Sequence, residues 1–170
     1  MSKQTKIIVA VLIILIPAVI VLAIINRENV SERIALQESG TFLVTAFDYT
    51  HVVSLDDLIA IGVTNISSHP RGVERNFTGV PVMTIFEFLG IDLTQAEGRR
   101  ALVFTSLDGF ATSITLNEAM DTSNAFVAFE ENGEPLGTRA EGGLGPFMIV
   151  MALDSFPNRW ARYLMEITLI

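Results

Sequence analysis

The sequence predicts an α+β domain rich in mixed or antiparallel sheet, with short helices, behind one transmembrane helix. Three observations carry that expectation. Ile7 to Ile25 is an uncharged apolar run of 19 residues; short β-rich segments alternate with Asp-Gly and Asn-Gly turns; and no strand–helix–strand rhythm of a parallel α/β fold runs along the chain.

The apolar run comes first. At about 1.5 Å per residue it matches a hydrocarbon core of roughly 30 Å. Its Ile, Leu and Val side chains favour insertion by about 5 to 9 kcal/mol before Pro17 is counted. A cleaved secretory signal is the competing reading, because Lys3 and Lys6 form a basic start. The run exceeds the usual apolar length of a signal, however, and Ala23-Ile24-Ile25-Asn26 lacks a small-x-small cleavage pattern. Lys3 and Lys6 on one side nearly balance Arg27 and Arg33 on the other, so charge barely decides the orientation. The expectation is a cytoplasmic tail at 1–6, an anchor at 7–25, a stalk at 26–40 and a domain at 41–170 outside the cytoplasm, as a single-pass cell-membrane protein.

Past the anchor stand nine arginines, no lysine and nineteen acidic residues, a formal charge of −10. Such a domain repels polyanions, so no nucleic-acid partner is expected, and an anionic membrane surface is disfavoured. The chain contains no cysteine, which excludes disulfides, thiolate catalysis, cysteine-ligated zinc and iron–sulfur clusters. Asn29, Asn65 and Asn76 begin Asn-x-Ser/Thr triplets, which carry little weight by themselves.

The elements follow in order. TFLVTAF from Thr41 reads as a strand, and Ser54-Leu55-Asp56-Asp57 as a capping box opening a short helix that stops at Gly62. VTNIS is the second strand, and Ser68 to Gly72 a loop. Pro81 starts a second short helix closed by Gly90. ALVFTS and FATSITL flank Leu107-Asp108-Gly109 as a hairpin, and residues 117–122 make a helical turn. AFVAFE and PLGTR flank a second turn at Asn132-Gly133. FMIVMAL reads as a buried central strand and ITLI as the closing one.

The series Gly79-Val80-Pro81, Asp108-Gly109, Gly133, Gly145-Pro146 and Arg159-Trp160, with VSLDDL and FEFLGI in their places, resembles the oxidoreductase molybdopterin-binding domain family, the fold of the sulfite oxidase type. The likeness covers about residues 41–170 and is greatest to short exported single-domain relatives. It implies a molybdopterin cofactor whose metal is held by a cysteine thiolate in the loop before the Gly-Val-Pro segment, with nearby Arg and His on the pterin phosphate. Here that loop reads Thr64 to Gly72 with Ser67 and Ser68 in the ligand's neighbourhood. A neutral hydroxyl does not replace a soft thiolate, so molybdopterin rests on the resemblance alone and no metal ligand is assigned.

The candidate ligand-binding residues are Ser67, Ser68, His69, Arg71, Arg75 and Arg159, the guanidiniums being able to fork onto a phosphate or carboxylate. The plainer reading makes His69, Arg71 and Arg75 solvated loop residues with Glu74 beside them, Trp160 a core residue and Arg159 its surface neighbour. Arg99-Arg100 reads as a solvated strand edge. A Ser/His/Asp triad from Ser68, His69 or His51 and Asp48 has no G-x-S-x-G elbow to support it, and no catalytic residue is assigned. The expected function is a non-redox module that binds a small anionic ligand or an envelope protein partner. The alternatives are an oxidoreductase, or its subunit, with an atypical metal ligand, and a purely structural interaction subunit whose pocket side chains fill.

Overall fold

A computed structural model describes residues 13–21, 34–36, 38–96, 98 and 101–170. Residues 13–21 are helical and apolar. No helix among the described residues is long and apolar enough to cross a membrane. The tail at 1–6, most of the 7–25 anchor, most of the stalk, and Arg99-Arg100 lie outside the described residues.

Leu36–Ile170 forms a unit of two five-stranded sheets. The first sheet runs in the order β2 (Tyr49–Ser54), β1 (Thr41–Ala46), β10 (Leu164–Leu169), β5 (Ala101–Ser106), β6 (Ala111–Thr115). β1 and β10 are parallel, with Val44 opposite Ile167, and the other pairs are antiparallel, so the sheet is mixed as the sequence predicts. Strand alternation sends Phe42, Val44 and Ala46 of β1 and Leu102 and Phe104 of β5 into the core.

The second sheet runs β3 (Thr64–Ser68), β4 (Arg75–Pro81), β7 (Ala125–Glu131). The short β8 (Glu134–Pro135) pairs with the C-terminal end of β7, and β9 (Met148–Met151) pairs with its N-terminal half. Phe42 of β1 meets Phe147, just before β9, edge to face at 5.1 Å, which joins the two inner faces.

Three short helices, α1 (Leu55–Ile61), α2 (Val82–Phe88) and α3 (Leu116–Met120), complete the domain. Ser54 and Asp57 close the capping box the sequence predicts on α1, and Thr115 with Glu118 closes a second on α3. Each cap satisfies otherwise orphaned N–H groups and stabilises by about 1 kcal/mol.

Three expectations change. β2 was not anticipated: it returns from β1 through Phe47-Asp48, a two-residue turn without the usual Gly or Asn, and Phe47 carries a φ of 54° there. PLGTR is not a strand, since only Glu134 and Pro135 pair before the chain leaves the sheet. FMIVMAL is buried but not central. β9 bonds to β7 alone, and on its other side the Ile149 N–H donates to the Ala161 carbonyl, so loop backbone covers that edge. The central strand of the first sheet is β10.

At Gly79 the register of β4 shifts against β7, and a Cβ there would collide with the Val127 carbonyl oxygen and lie 2.8 Å from the Ala128 Cα. Gly79→Ala should therefore cost about 3 kcal/mol of unfolding free energy, read from urea denaturation, because backbone rather than a flexible side chain must give way.

Candidate functional site

The loop where β3 ends is fastened to the segment that follows β9. Ser68 is buried, and its Oγ donates to the Ala152 carbonyl at 3.2 Å. The Arg71 N–H donates to the Ser155 carbonyl at 2.8 Å, with Arg71 itself in the left-handed region at φ 55°. Ser67 points the other way, as strand alternation requires, and stays exposed 3.5 Å from Glu74. The His69 and Arg71 side chains are exposed and make no ion pair among the described residues.

Arg75 is paired within the chain. Its Nε and Nη2 donate to both carboxylate oxygens of Glu131 at 2.6 and 2.7 Å. Its guanidinium lies 5.0 Å from the Phe77 ring centre and 5.3 Å from that of Trp160. Those two rings meet edge to face at 5.4 Å, and the Trp160 Nε1–H donates to the Met151 carbonyl. Arg75 is thus a packed strand residue with its charge answered from within the chain, which corrects its reading as a solvated loop residue.

Arg159 is paired likewise. It donates through Nε and Nη2 to Asp154 at 2.8 and 2.6 Å, and through Nη1 to Glu118 at 2.7 Å. The hydrogen bonds it donates to Asp154 first, and to Glu118 next, raise its pKa further above the ordinary range. Glu118 meanwhile accepts the Thr115 N–H and Oγ–H through its other oxygen. The Arg159 bond first, and the Thr115 N–H next, hold the Glu118 carboxyl below its ordinary pKa. The segment before β10 is tied in this way to the cap of α3.

Of the six candidates, Ser68, Arg75 and Arg159 therefore serve the packing, and Ser67, His69 and Arg71 remain on the surface. Beside Trp160 lies a polar recess of about 280 Å³ that sequence reasoning missed, lined by Ser106, Asp108, Phe110, Asn158 and Arg162. Its residues come from a hairpin and a loop about fifty positions apart, so no local signal could have found it.

Residues 63–170, well over half of the chain, match the family described as the oxidoreductase molybdopterin binding domain. The chain belongs to that family. No curated protein matches the chain. Among solved structures it is similar to the sulfane dehydrogenase SoxCD from Paracoccus pantotrophus, at 15% identity and a TM-score of 0.59. That match covers 76% of this chain and 37% of the SoxCD chain, so the present chain spans little more than a third of its length. At that identity the likeness concerns the fold. The expected α+β, sheet-rich, sulfite oxidase-like domain is thereby established.

The family implies molybdopterin, yet the donor set here does not fit a metal held by the protein. The chain offers no thiolate, Ser68 commits its proton to Ala152, and among the described residues no three His, Asp or Glu side chains converge as metal ligands. Arg75 and Arg159, which could face an anionic group, are already neutralised by Glu131, Asp154 and Glu118.

Two measurements check these roles. Arg75→Lys keeps the charge but loses the fork and the stacking; it should lower unfolding free energy by about 1 to 2 kcal/mol and leave phosphate binding, followed by calorimetry, unchanged. For Glu118 the folded pKa lies below the ordinary 4.5, so its stabilisation is present above that pH and is lost as pH falls through the folded value. Arg159→Met should consequently lose less stability than the parent chain between about pH 5 and pH 3, measured by urea unfolding at each pH.

Proposed function

We propose that this chain is a non-redox member of the molybdopterin-binding domain family, anchored in the cell membrane by residues 7–25 with its domain outside the cytoplasm, where it acts by binding. The observation that carries this reading is the Ser68 bond to Ala152 in a chain without cysteine. In the loop where the resemblance looks for a metal ligand, this protein offers only the hydroxyls of Ser67 and Ser68, and the buried one of Ser68 is turned into its own backbone. The internal pairing of Arg75 and Arg159 supports the same reading, since both leave an incoming anion little unanswered charge. An anionic ligand is left with the exposed Arg71 and His69, or with Arg162 at the rim of the polar recess. A protein partner in the envelope suits this surface equally.

Family membership favours one other reading, an oxidoreductase, or a subunit of one, that carries molybdopterin through an atypical ligand. Elemental analysis separates the two. Full-length protein purified from its native membrane should hold molybdenum and tungsten far below one atom per chain; either metal in stoichiometric amount overturns the non-redox reading. Fractionation of the same membranes tests the anchor, which requires the chain to resist alkaline carbonate extraction and its domain to be cut by protease added outside intact cells.

A further inference from the structure

We propose that the recess between the β1–β2 turn and residues 89–95 binds a quaternary ammonium group. Phe47, Tyr49, His51, Ile91, Asp92 and Gln95 line this open recess of about 490 Å³. Its making follows from strand periodicity. Val53, His51 and Tyr49 share one face of β2, and along it exposure rises from 1% at Val53 to 72% at Tyr49. The inner face of the strand runs past the end of the core, and aromatic rings occupy the overhang.

Phe47 adds a second observation. It holds a φ of 54° at the first position of a two-residue turn, where glycine or asparagine is the favoured residue. A bulky ring in that conformation breaks a local rule of stability, and such departures gather at functional positions.

The charge of the recess selects a cation. Asp92 accepts from the Thr94 N–H and Oγ1–H and from the Gln95 Nε2–H, all neutral donors, and the Thr94 hydroxyl above all keeps its carboxyl below the ordinary pKa. Unlike Glu131, Asp154 and Glu118, it answers no arginine, and no lysine or arginine lines the recess, among the described residues. Asp92 Oδ1 already accepts two hydrogen bonds and Oδ2 one, so this carboxylate has room for about one of the several N–H donors that an ammonium or guanidinium brings. A metal ion would find one carboxylate where it needs several oxygen ligands. A quaternary ammonium has no donors to satisfy, sheds its water readily, and is attracted by aromatic faces and a nearby negative charge.

The group can arrive on a free solute or on a phosphocholine lipid head. Neither residues 46–51 nor residues 89–95 belong to the loop at 64–72, so the inference stands apart from the metal question, and cation titration and elemental analysis can fail separately. Full-length protein in maltoside micelles is titrated with tetramethylammonium, with ammonium at equal ionic strength as the control, and followed by NMR. Saturable shifts at Tyr49, His51 and Asp92 are expected with tetramethylammonium only, weakened about tenfold by Tyr49→Ala. Phe47→Asn should weaken binding while raising Tm, since asparagine accepts the left-handed turn. Equal shifts from both cations, or unchanged binding in Tyr49→Ala, would overturn the proposal. Choline added to protein in phosphatidylcholine and in phosphatidylglycerol vesicles then names the source: competition by phosphatidylcholine alone marks the lipid head, and equal binding in both marks a free solute.

Discussion

The parallel pairing of β1 with β10 is the constraint on which the domain depends. It joins residues 43–45 to 166–168 and sets β10 in the middle of the first sheet, between β1 and the β5–β6 hairpin. Without it that sheet falls into the β1–β2 hairpin and a three-stranded β10–β5–β6 piece, neither of which has a covered face of its own. A contact between positions so far apart closes a long loop, a cost that only the apolar burial of both sheets offsets. The segment leading into β10 inherits the geometry. Ala161 covers the edge of β9, Trp160 packs on Phe77, and Arg159 reaches the cap of α3, so one stretch of chain fastens both sheets and a helix together.

That fastening accounts for the state of two arginines that the sequence offered as ligand forks. Here Arg75 lies between two aromatic rings and a bidentate carboxylate, and Arg159 between two carboxylates. Planar guanidiniums suit this work because they stack and fork at once, and partial burial strengthens the pairs beyond those of open surface. The buried Ser68 adds to them: its small hydroxyl, bonded to backbone, ties the end of β3 to the segment after β9.

What could be read in the sequence was what is local. Ser54 and Asp57 lie three residues apart and announced α1; Asp108-Gly109 announced the β5–β6 hairpin, because the turn needs the conformations those residues supply. The missing thiolate was equally plain, since composition alone decides it. β2 escaped notice because Phe47-Asp48 carries no such signature. β9 looked central because burial on both faces produces the same apolar run whether a strand is flanked by strands or by a loop. The partners of the candidate arginines were hidden for a related reason: Glu131 lies 56 positions from Arg75, and Glu118 lies 41 from Arg159, and nothing in a linear pattern selects such partners from nineteen acidic residues.

Arg75 and Arg159 cancel as much acidic charge as they carry, so the formal charge of −10 past residue 25 sets a negative outward field. Around such a body mobile cations gather in a cloud about 8 Å deep at physiological ionic strength. Close approach to a similarly charged bilayer compresses two such clouds together, so electrostatic pressure holds the domain away from an acidic lipid surface and eases as salt thins the clouds.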